Sequence, residues 1–162
     1  MIQFFSLFMV ILTVLFVGEL ALPVQAYLII PFTEAIAHIS AWLIQIFDEK
    51  VIFRGVEIIN TANGFAVSIQ AGCNGVEAAI VLIAAILAFP ASWSAKLIGV
   101  IVGFLSVQLL NILRIISLFY LGQWNFDAFN WAHLYIWQAL IMLDVLVVFL
   151  LWLKFSARSV KS

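Results

Sequence analysis

Long apolar runs are the feature that most limits what this chain can fold into. Residues 2–22, 74–90, 96–121 and 133–154 form runs that are close to or above the length needed to cross a bilayer. Of the 162 residues, 67% are hydrophobic and only 9% are charged, which is more apolar surface than a soluble domain can bury. We therefore expect an all-α polytopic membrane protein with about four to five transmembrane helices, and a single integral membrane domain over residues 1–162.

The first 47 residues contain one clear helix and one segment that the sequence leaves open. Residues 2–22 lack the basic start of a signal peptide and their apolar run is long, so we expect a retained helix. Pro23 and Pro31 then interrupt the pattern. In residues 27–47, polar side chains share one helical face: Glu34, His38, Gln45 and, just beyond, Asp48. This segment is either an interfacial helix or a spanning helix whose polar face lines a cavity.

Residues 48–72 differ in character and are expected to lie outside the bilayer. They carry the densest charges in the first 90 residues. Two stretches that alternate apolar and polar residues, 56–58 and 65–70, flank the turn-forming segment 60–64. This pattern predicts a short β-hairpin that leads directly to the only cysteine of the chain.

The distribution of basic residues predicts the orientation. The loop that carries Lys96, and the tail with Lys154, Arg158 and Lys161, have basic residues and no acidic ones. The positive-inside rule places both in the cytoplasm, so residues 48–72 and a polar, aromatic loop at 123–132 are expected outside. The net charge of −1 gives no sign of nucleic-acid binding.

Cys73 lies at the start of the third apolar segment, between Gly72 and Gly75. A helix N-terminus favours thiolate over thiol, and the two glycines leave room for another backbone, either a packed helix or a bound peptide. Most free cysteines are instead small buried hydrophobes. The function of Cys73 therefore depends on which polar residues meet it.

Two ionisable residues from other helices are expected at the same membrane face. Arg114 lies seven residues before Leu121, about 10 Å below the outer end of its helix, and His133 begins the last helix. Arginine can stabilise a thiolate or an oxyanion, and histidine can move the thiol proton. The alternatives are an Arg114–Glu77 ion pair or snorkelling, and a place for His133 in an interfacial aromatic belt.

Three further polar residues lie on the last two long helices. Asn111 shares a helix face with Arg114 and is expected to orient it or to hydrogen-bond the substrate. Gln108 and Asp144 fall near mid-membrane and are expected to form a structural polar pair outside the site. No metal-ligand spacing or nucleotide-binding loop is present in the sequence, and no cofactor is expected.

These motifs resemble those of the exosortase/archaeosortase family. They are Gly-Cys-Asn-Gly-Val-Glu at 72–77, Asn-Ile-Leu-Arg-Ile at 111–115 and Ala-His-Leu-Tyr at 132–135. The chain's short length and Asn74 look most similar to the exosortase H group. The likeness covers residues 50–154 well and the first 48 less specifically.

The resemblance implies a multi-pass cysteine transpeptidase of the Gram-negative inner membrane, with its active site facing the periplasm. Its partners would be secreted proteins with a C-terminal sorting signal, made of a short motif, an apolar helix and a basic tail. Carried over to this chain, Cys73 is the nucleophile, His133 transfers protons and Arg114 stabilises charge. Four residues would contact substrate: Asn111, Asn74, Gly72 and Gly75.

Two other functions fit the same residues. A non-catalytic membrane subunit would bind a partner helix through the small-residue face of Gly72, Gly75, Ala78 and Ala79. A cysteine-dependent acyltransferase would use Cys73 on a lipid or lipoprotein substrate. Neither the acceptor molecule nor the oligomeric state follows from the sequence.

Overall fold

The structure, a computed structural model that describes residues 2–159, is a helical bundle that carries a small sheet at one end. Its elements in chain order are α1 (Ile2–Leu20), α2 (Leu22–Val24), a π-helical segment (Gln25–Ile29), α3 (Ile30–Gln45), β1 (Val51–Arg54), β2 (Glu57–Asn60), β3 (Ala66–Ser68), α4 (Val76–Ala88), α5 (Trp93–Trp124), α6 (Phe126–Trp131), a second π-helical segment (Ala132–Ile136) and α7 (Trp137–Ser159). In the basic tail, the side chain of Arg158 and all of Lys161 lie outside the described residues.

Within residues 2–159, four helical stretches are long and apolar enough to cross a membrane: Ile2–Glu19, Leu22–Gln45, Trp93–Trp124 and Phe126–Ser156. The fifth apolar helix, α4, has 13 residues, which gives a length of about 20 Å against the roughly 30 Å of a hydrocarbon core. The expected all-α polytopic fold is therefore confirmed.

Helix boundaries differ from the expected ones at the start of α4 and between residues 22 and 45. Helix α4 begins at Val76 rather than at residue 74, so Cys73 lies in a turn before the helix. Residues 22–45 form one continuous helical stretch of spanning length, in which the π-helical segment ends two residues before Pro31. Since proline lacks an N–H and disturbs the turn before it, the wider π turn absorbs Pro31 without ending the helix.

The expected loop at 123–132 is mostly helical. Helix α5 continues to Trp124, and after a break at Asn125 the chain re-enters helix α6. The side chain of Asn125 caps α6 by accepting a hydrogen bond from the Ala128 N–H at 2.9 Å. This helix and the π-helical segment after it carry His133 on a rigid element rather than on a loop.

The expected hairpin is present and is extended by one strand. The three strands form an antiparallel sheet in the order β1-β2-β3, with Val51 opposite Asn60 and Ile58 opposite Val67. The sheet is attached to the end of α5, because Asn60 and Asn63 both donate to the Gln123 side-chain oxygen at 2.8 Å. This attachment fixes the sheet, and the turn after it, against α5.

Two apolar clusters hold the fold together. One joins the sheet to α3 and α5 and includes Val51, Ile58 and Phe119, all of which are fully buried. The other joins α4, α5 and α7, where Gly103 lets α5 approach Leu82 so closely that a Cβ would lie 2.6 Å from its methyl group. Small residues at such contacts let membrane helices pack at short range.

Candidate active site

The loop that carries Cys73 is shaped by two glycines with left-handed backbone. Gly72 has φ of 81° and Gly75 has φ of 77°, a region that other residues adopt only with strain. Between them, the Cys73 N–H donates to the Gln70 carbonyl at 2.9 Å and closes a tight turn. Cys73 thus lies in the loop between β3 and α4, three residues before α4 begins.

Contacts with α3 and α5 hold this loop in place. Asn74 is 1% exposed; its amide donates to the Thr33 hydroxyl at 3.1 Å and accepts from the Val76 N–H. Gly75 lies so close to α5 that an added Cβ would be 2.8 Å from the Gln108 amide. These contacts give Asn74 and Gly75 a clear part in positioning the loop, while their contact with substrate stays a prediction.

His133 reaches the cysteine from the opposite side. Its Nε2 lies 3.1 Å from Cys73 Sγ, within hydrogen-bond distance. The imidazole stacks on Phe129, with ring centroids 5.7 Å apart, which fixes the plane of the ring. His133 belongs to the π-helical segment, and such wide turns inside helices are frequently found at functional sites.

Arg114 completes the group from α5. The side chain is 4% exposed; its Nη1 donates to the Gly72 carbonyl at 3.3 Å and its Nη2 contacts Cys73 Sγ at 3.6 Å. Glu77 accepts from the Gly72 N–H instead of pairing with the guanidinium. In place of the direct Arg114–Glu77 ion pair that was one of the alternatives, both side chains contact the cysteine loop.

Burial sets the protonation state of the thiol. Burial raises the pKa of Cys73 above its ordinary value, Arg114 lowers this pKa to a smaller extent, and Glu77 adds to the rise. The expectation that the helix N-terminus favours the thiolate is not met, since the helix begins three residues later and burial is the larger effect. At neutral pH, Cys73 is a thiol that needs a base to become a nucleophile.

Two cavities meet at Arg114. One, of about 220 Å³, is lined by Cys73, His133, Phe129 and the end of the sheet. The other, of about 270 Å³, lies toward the bundle and is lined by Gly72, Gly75, Glu77, Asn111 and Gln138. We call them the thiol cavity and the inner cavity. Arg114 lines both cavities and lies where they meet.

The prediction of a polar pair between Gln108 and Asp144 is wrong. Asp144 accepts from the Ser106 hydroxyl at 3.4 Å, whereas the Gln108 amide faces Gly75. Among the described residues, neither Gln108 nor the fully buried Asn111 has a hydrogen-bond partner for its side-chain amide, and Arg114 Nε has none either. Gln108, Asn111 and Arg114 recur at every third position, and this spacing is the signal by which Gln108 could have been placed beside the site.

The arrangement has the parts of a cysteine nucleophile with its base. A thiol within hydrogen-bond distance of an imidazole can be deprotonated at the moment of attack. A guanidinium beside the sulfur can stabilise negative charge on the sulfur or on an oxygen bonded to the attacked carbon. No group of three or more His, Cys, Asp or Glu side chains within residues 2–159 is arranged to hold a metal ion.

These features define a multi-pass membrane protein in which a cysteine, a histidine and an arginine from separate elements meet. A family model described as Transmembrane exosortase matches residues 2–154, nearly the whole chain. The chain therefore belongs to the transmembrane exosortase family. No curated protein and no solved structure gave a significant match.

Proposed function

We propose that this protein is a membrane-embedded cysteine peptidase or transpeptidase of the bacterial inner membrane. Its substrates are secreted proteins with a C-terminal sorting signal, which it cleaves at the extracytoplasmic face and transfers to an acceptor. The observation that supports this most directly is the 3.1 Å contact between Cys73 Sγ and His133 Nε2, with Arg114 at 3.6 Å from the same sulfur.

The first half of the reaction forms a thioester. His133 Nε2 takes the thiol proton as Cys73 Sγ attacks the scissile carbonyl carbon, and the carbonyl electrons move to oxygen. Arg114 stabilises the resulting negative charge because its guanidinium already faces the sulfur. The tetrahedral intermediate collapses, the C–N bond breaks, and His133 gives its proton to the leaving amine.

The second half releases the product. An amine of the acceptor, or water, attacks the thioester carbonyl while His133 removes a proton from it. Collapse of this second intermediate breaks the C–S bond, and the proton returns from His133 to Cys73. Both halves use the same three side chains, so the enzyme ends in its starting state with no cofactor consumed.

The packing of α4 argues against the non-catalytic subunit. That alternative needs the face of Gly72, Gly75, Ala78 and Ala79 to be free for a partner helix. Gly75 instead packs against Gln108 and Asn111 of the same chain, and Ala78 and Ala79 are 7% and 4% exposed. A partner helix would have to displace the chain's own helices from this face.

The chemical form of the Cys73 adduct tests the proposed function. We expect mass analysis of protein quenched in acid from living cells to show a peptidyl thioester on Cys73, because acid preserves thioesters and stops transfer. The Cys73→Ala variant, made at the same level, should carry no such mass. A fatty acyl group on Cys73 would support the acyltransferase instead, and contradict the peptidase.

The orientation rests on basic-residue asymmetry and is tested by labelling. In a Cys73→Ala background, a thiol reagent that cannot cross membranes should label Ala62→Cys in intact spheroplasts. Ala62 and Ser94 are both exposed, at opposite ends of the bundle. The matched variant Ser94→Cys should therefore be labelled only after the membrane is opened. The reverse pattern would place the thiol at the cytoplasmic face and overturn the assignment to sorting signals.

A further inference from the structure

Strand β3 has one free edge. It is the last strand of the sheet and pairs only with β2 among the described strands. The Phe65 carbonyl accepts a hydrogen bond from the Asn60 N–H of β2 at 2.8 Å. The Ile69 N–H donates to the Val56 carbonyl, in the turn before β2, at 3.0 Å. Because backbone groups alternate along a strand, the N–H groups of residues 66, 68 and 70 point away from β2. Ala66, Ser68 and Gln70 are all exposed.

The free edge forms one wall of the thiol cavity. Five successive residues, 67–71, line that cavity. Val67 and Ser68 belong to β3 and residues 69–71 continue directly from it, so the cavity follows the chain from the strand to the turn before Cys73. The other lining residues come from the cysteine loop, from α5 and from the segment around His133, and they include Cys73, Arg114, Phe129 and His133. The cavity is thus a slot between an unpaired strand edge and the catalytic side chains.

We propose that an extended peptide segment of the substrate binds in this slot as an additional strand on the free edge of β3. This inference rests on the proposed function and names how its substrate is held. The segment is the short stretch that precedes the substrate's membrane-embedded apolar helix. Its backbone would pair with the outward N–H and C=O groups of β3, the mode of recognition known as strand addition.

The position of Cys73 makes this pairing productive. Gln70 is the last residue with an outward N–H. A tight turn joins it to Cys73, closed by the 2.9 Å hydrogen bond from the Cys73 N–H to the Gln70 carbonyl. A peptide that pairs along residues 66–70 therefore delivers its next peptide bond to the sulfur. Near a bilayer, an extended peptide also needs partners for its backbone groups, and the strand edge supplies them. Binding therefore depends mainly on the backbone conformation of the peptide and less on the identity of its side chains.

Vinyl sulfone peptides test the pairing with the full-length protein in native membranes. Cys73 Sγ adds to the vinyl carbon β to the sulfonyl group and the thiol proton goes to the carbon next to the sulfonyl group, so no other reactant is needed. Because main-chain pairing is independent of sequence, a pool of acetylated tetrapeptides of mixed sequence serves as the probe. A second pool carries N-methyl groups on every amide, which prevents strand pairing, and methyl vinyl sulfone reports the reactivity of the thiol alone.

We expect wild-type protein to react with the unmethylated pool at least about tenfold faster than with the methylated pool, as the loss of two or more hydrogen bonds requires. Ser68→Pro removes one outward N–H, a substitution that strand edges tolerate. It should slow only the unmethylated pool, by about two- to tenfold. The control Ser68→Ala keeps the N–H and should not slow it.

Equal rates for the two pools with wild-type protein would overturn strand addition, whatever Ser68→Pro does to folding. The methyl vinyl sulfone reaction separates this failure from that of the proposed function. If that reaction is the same in wild-type protein and in His133→Ala, the cysteine–histidine mechanism is contradicted. The ratio between the two peptide pools still reports on the edge of β3 in that case.

Discussion

Replacing His133 by alanine is expected to lower the rate of sorting-signal cleavage by about a hundredfold to ten-thousandfold, the usual contribution of a positioned acid–base group. Burial keeps Cys73 protonated at neutral pH, so the variant has little nucleophile and no group to protonate the leaving amine. Pulse–chase of a secreted protein that ends in an apolar helix and a basic tail measures this rate. Cys73→Ala supplies the zero-rate baseline.

The pH profile distinguishes loss of the base from a structural defect. In His133→Ala the residual rate should rise about tenfold per pH unit from neutral pH upward, because thiolate forms only as the pH approaches the raised pKa of Cys73. The wild-type rate should rise much less steeply. His38→Ala is the matched control, since His38 is exposed and stacks on Phe53 at 4.3 Å, away from the thiol. Equal profiles for His133→Ala and the wild type would refute the role of His133 as base.

The meeting of Cys73, Arg114 and His133 could be predicted because depth in a membrane protein follows from position in a helix. Each apolar run has two ends, and basic loops assign those ends to sides of the membrane. In a bundle of only a few helices, three ionisable or nucleophilic residues near the same side of the membrane are then expected to lie close together. The sequence therefore predicts their proximity, although the 3.1 Å contact itself depends on the turn that presents Cys73.

Rotation about the helix axes could not be predicted as well as depth. Gln108 and Asp144 lie at similar depth, so pairing them was reasonable, but the Gln108 side chain faces the cysteine loop and Asp144 bonds to Ser106. Gln108 shares a polar face with Asn111 and Arg114, whereas apolar residues surround Asp144 in sequence and give no clear polar face. The contact of Gly75 with Gln108 shows which way α5 is turned, and it joins residues far apart in the chain.

The end of the sheet shows a second limit. The hairpin followed from its alternation and turn residues, yet the strand Val51–Arg54 was missed because charges before it and Arg54 within it suggested a loop. That extra strand covers the other edge of β2, so that β3 is the strand with a free edge beside the thiol. Helix α6 was missed for a similar reason, since its polar Asn125 and Asp127 suggested a loop and in fact form a helix start.

The nearly complete burial of Arg114 gives the conservative variant Arg114→Lys a large expected effect. We expect cleavage to fall by about a hundredfold to a thousandfold with the protein level unchanged, the usual cost of losing one preorganised donor to an oxyanion. Arginine holds the Gly72 carbonyl and the Cys73 sulfur with two nitrogens of one rigid plane. A lysine ammonium is a single flexible point charge and cannot keep both contacts. Arg54→Lys, at an exposed position on β1, is the control.

A double variant separates this role from simple charge balance with Glu77. If Arg114 only neutralised Glu77, the combination of Arg114→Gln with Glu77→Gln would restore both folding and cleavage. The structure gives Glu77 a different partner, the Gly72 N–H, so removing its charge does not replace the guanidinium at the sulfur. We therefore expect the double variant to reach normal levels in the membrane and to leave the substrate uncleaved. Restored cleavage would refute electrostatic catalysis by Arg114, because neither glutamine brings a positive charge to Cys73.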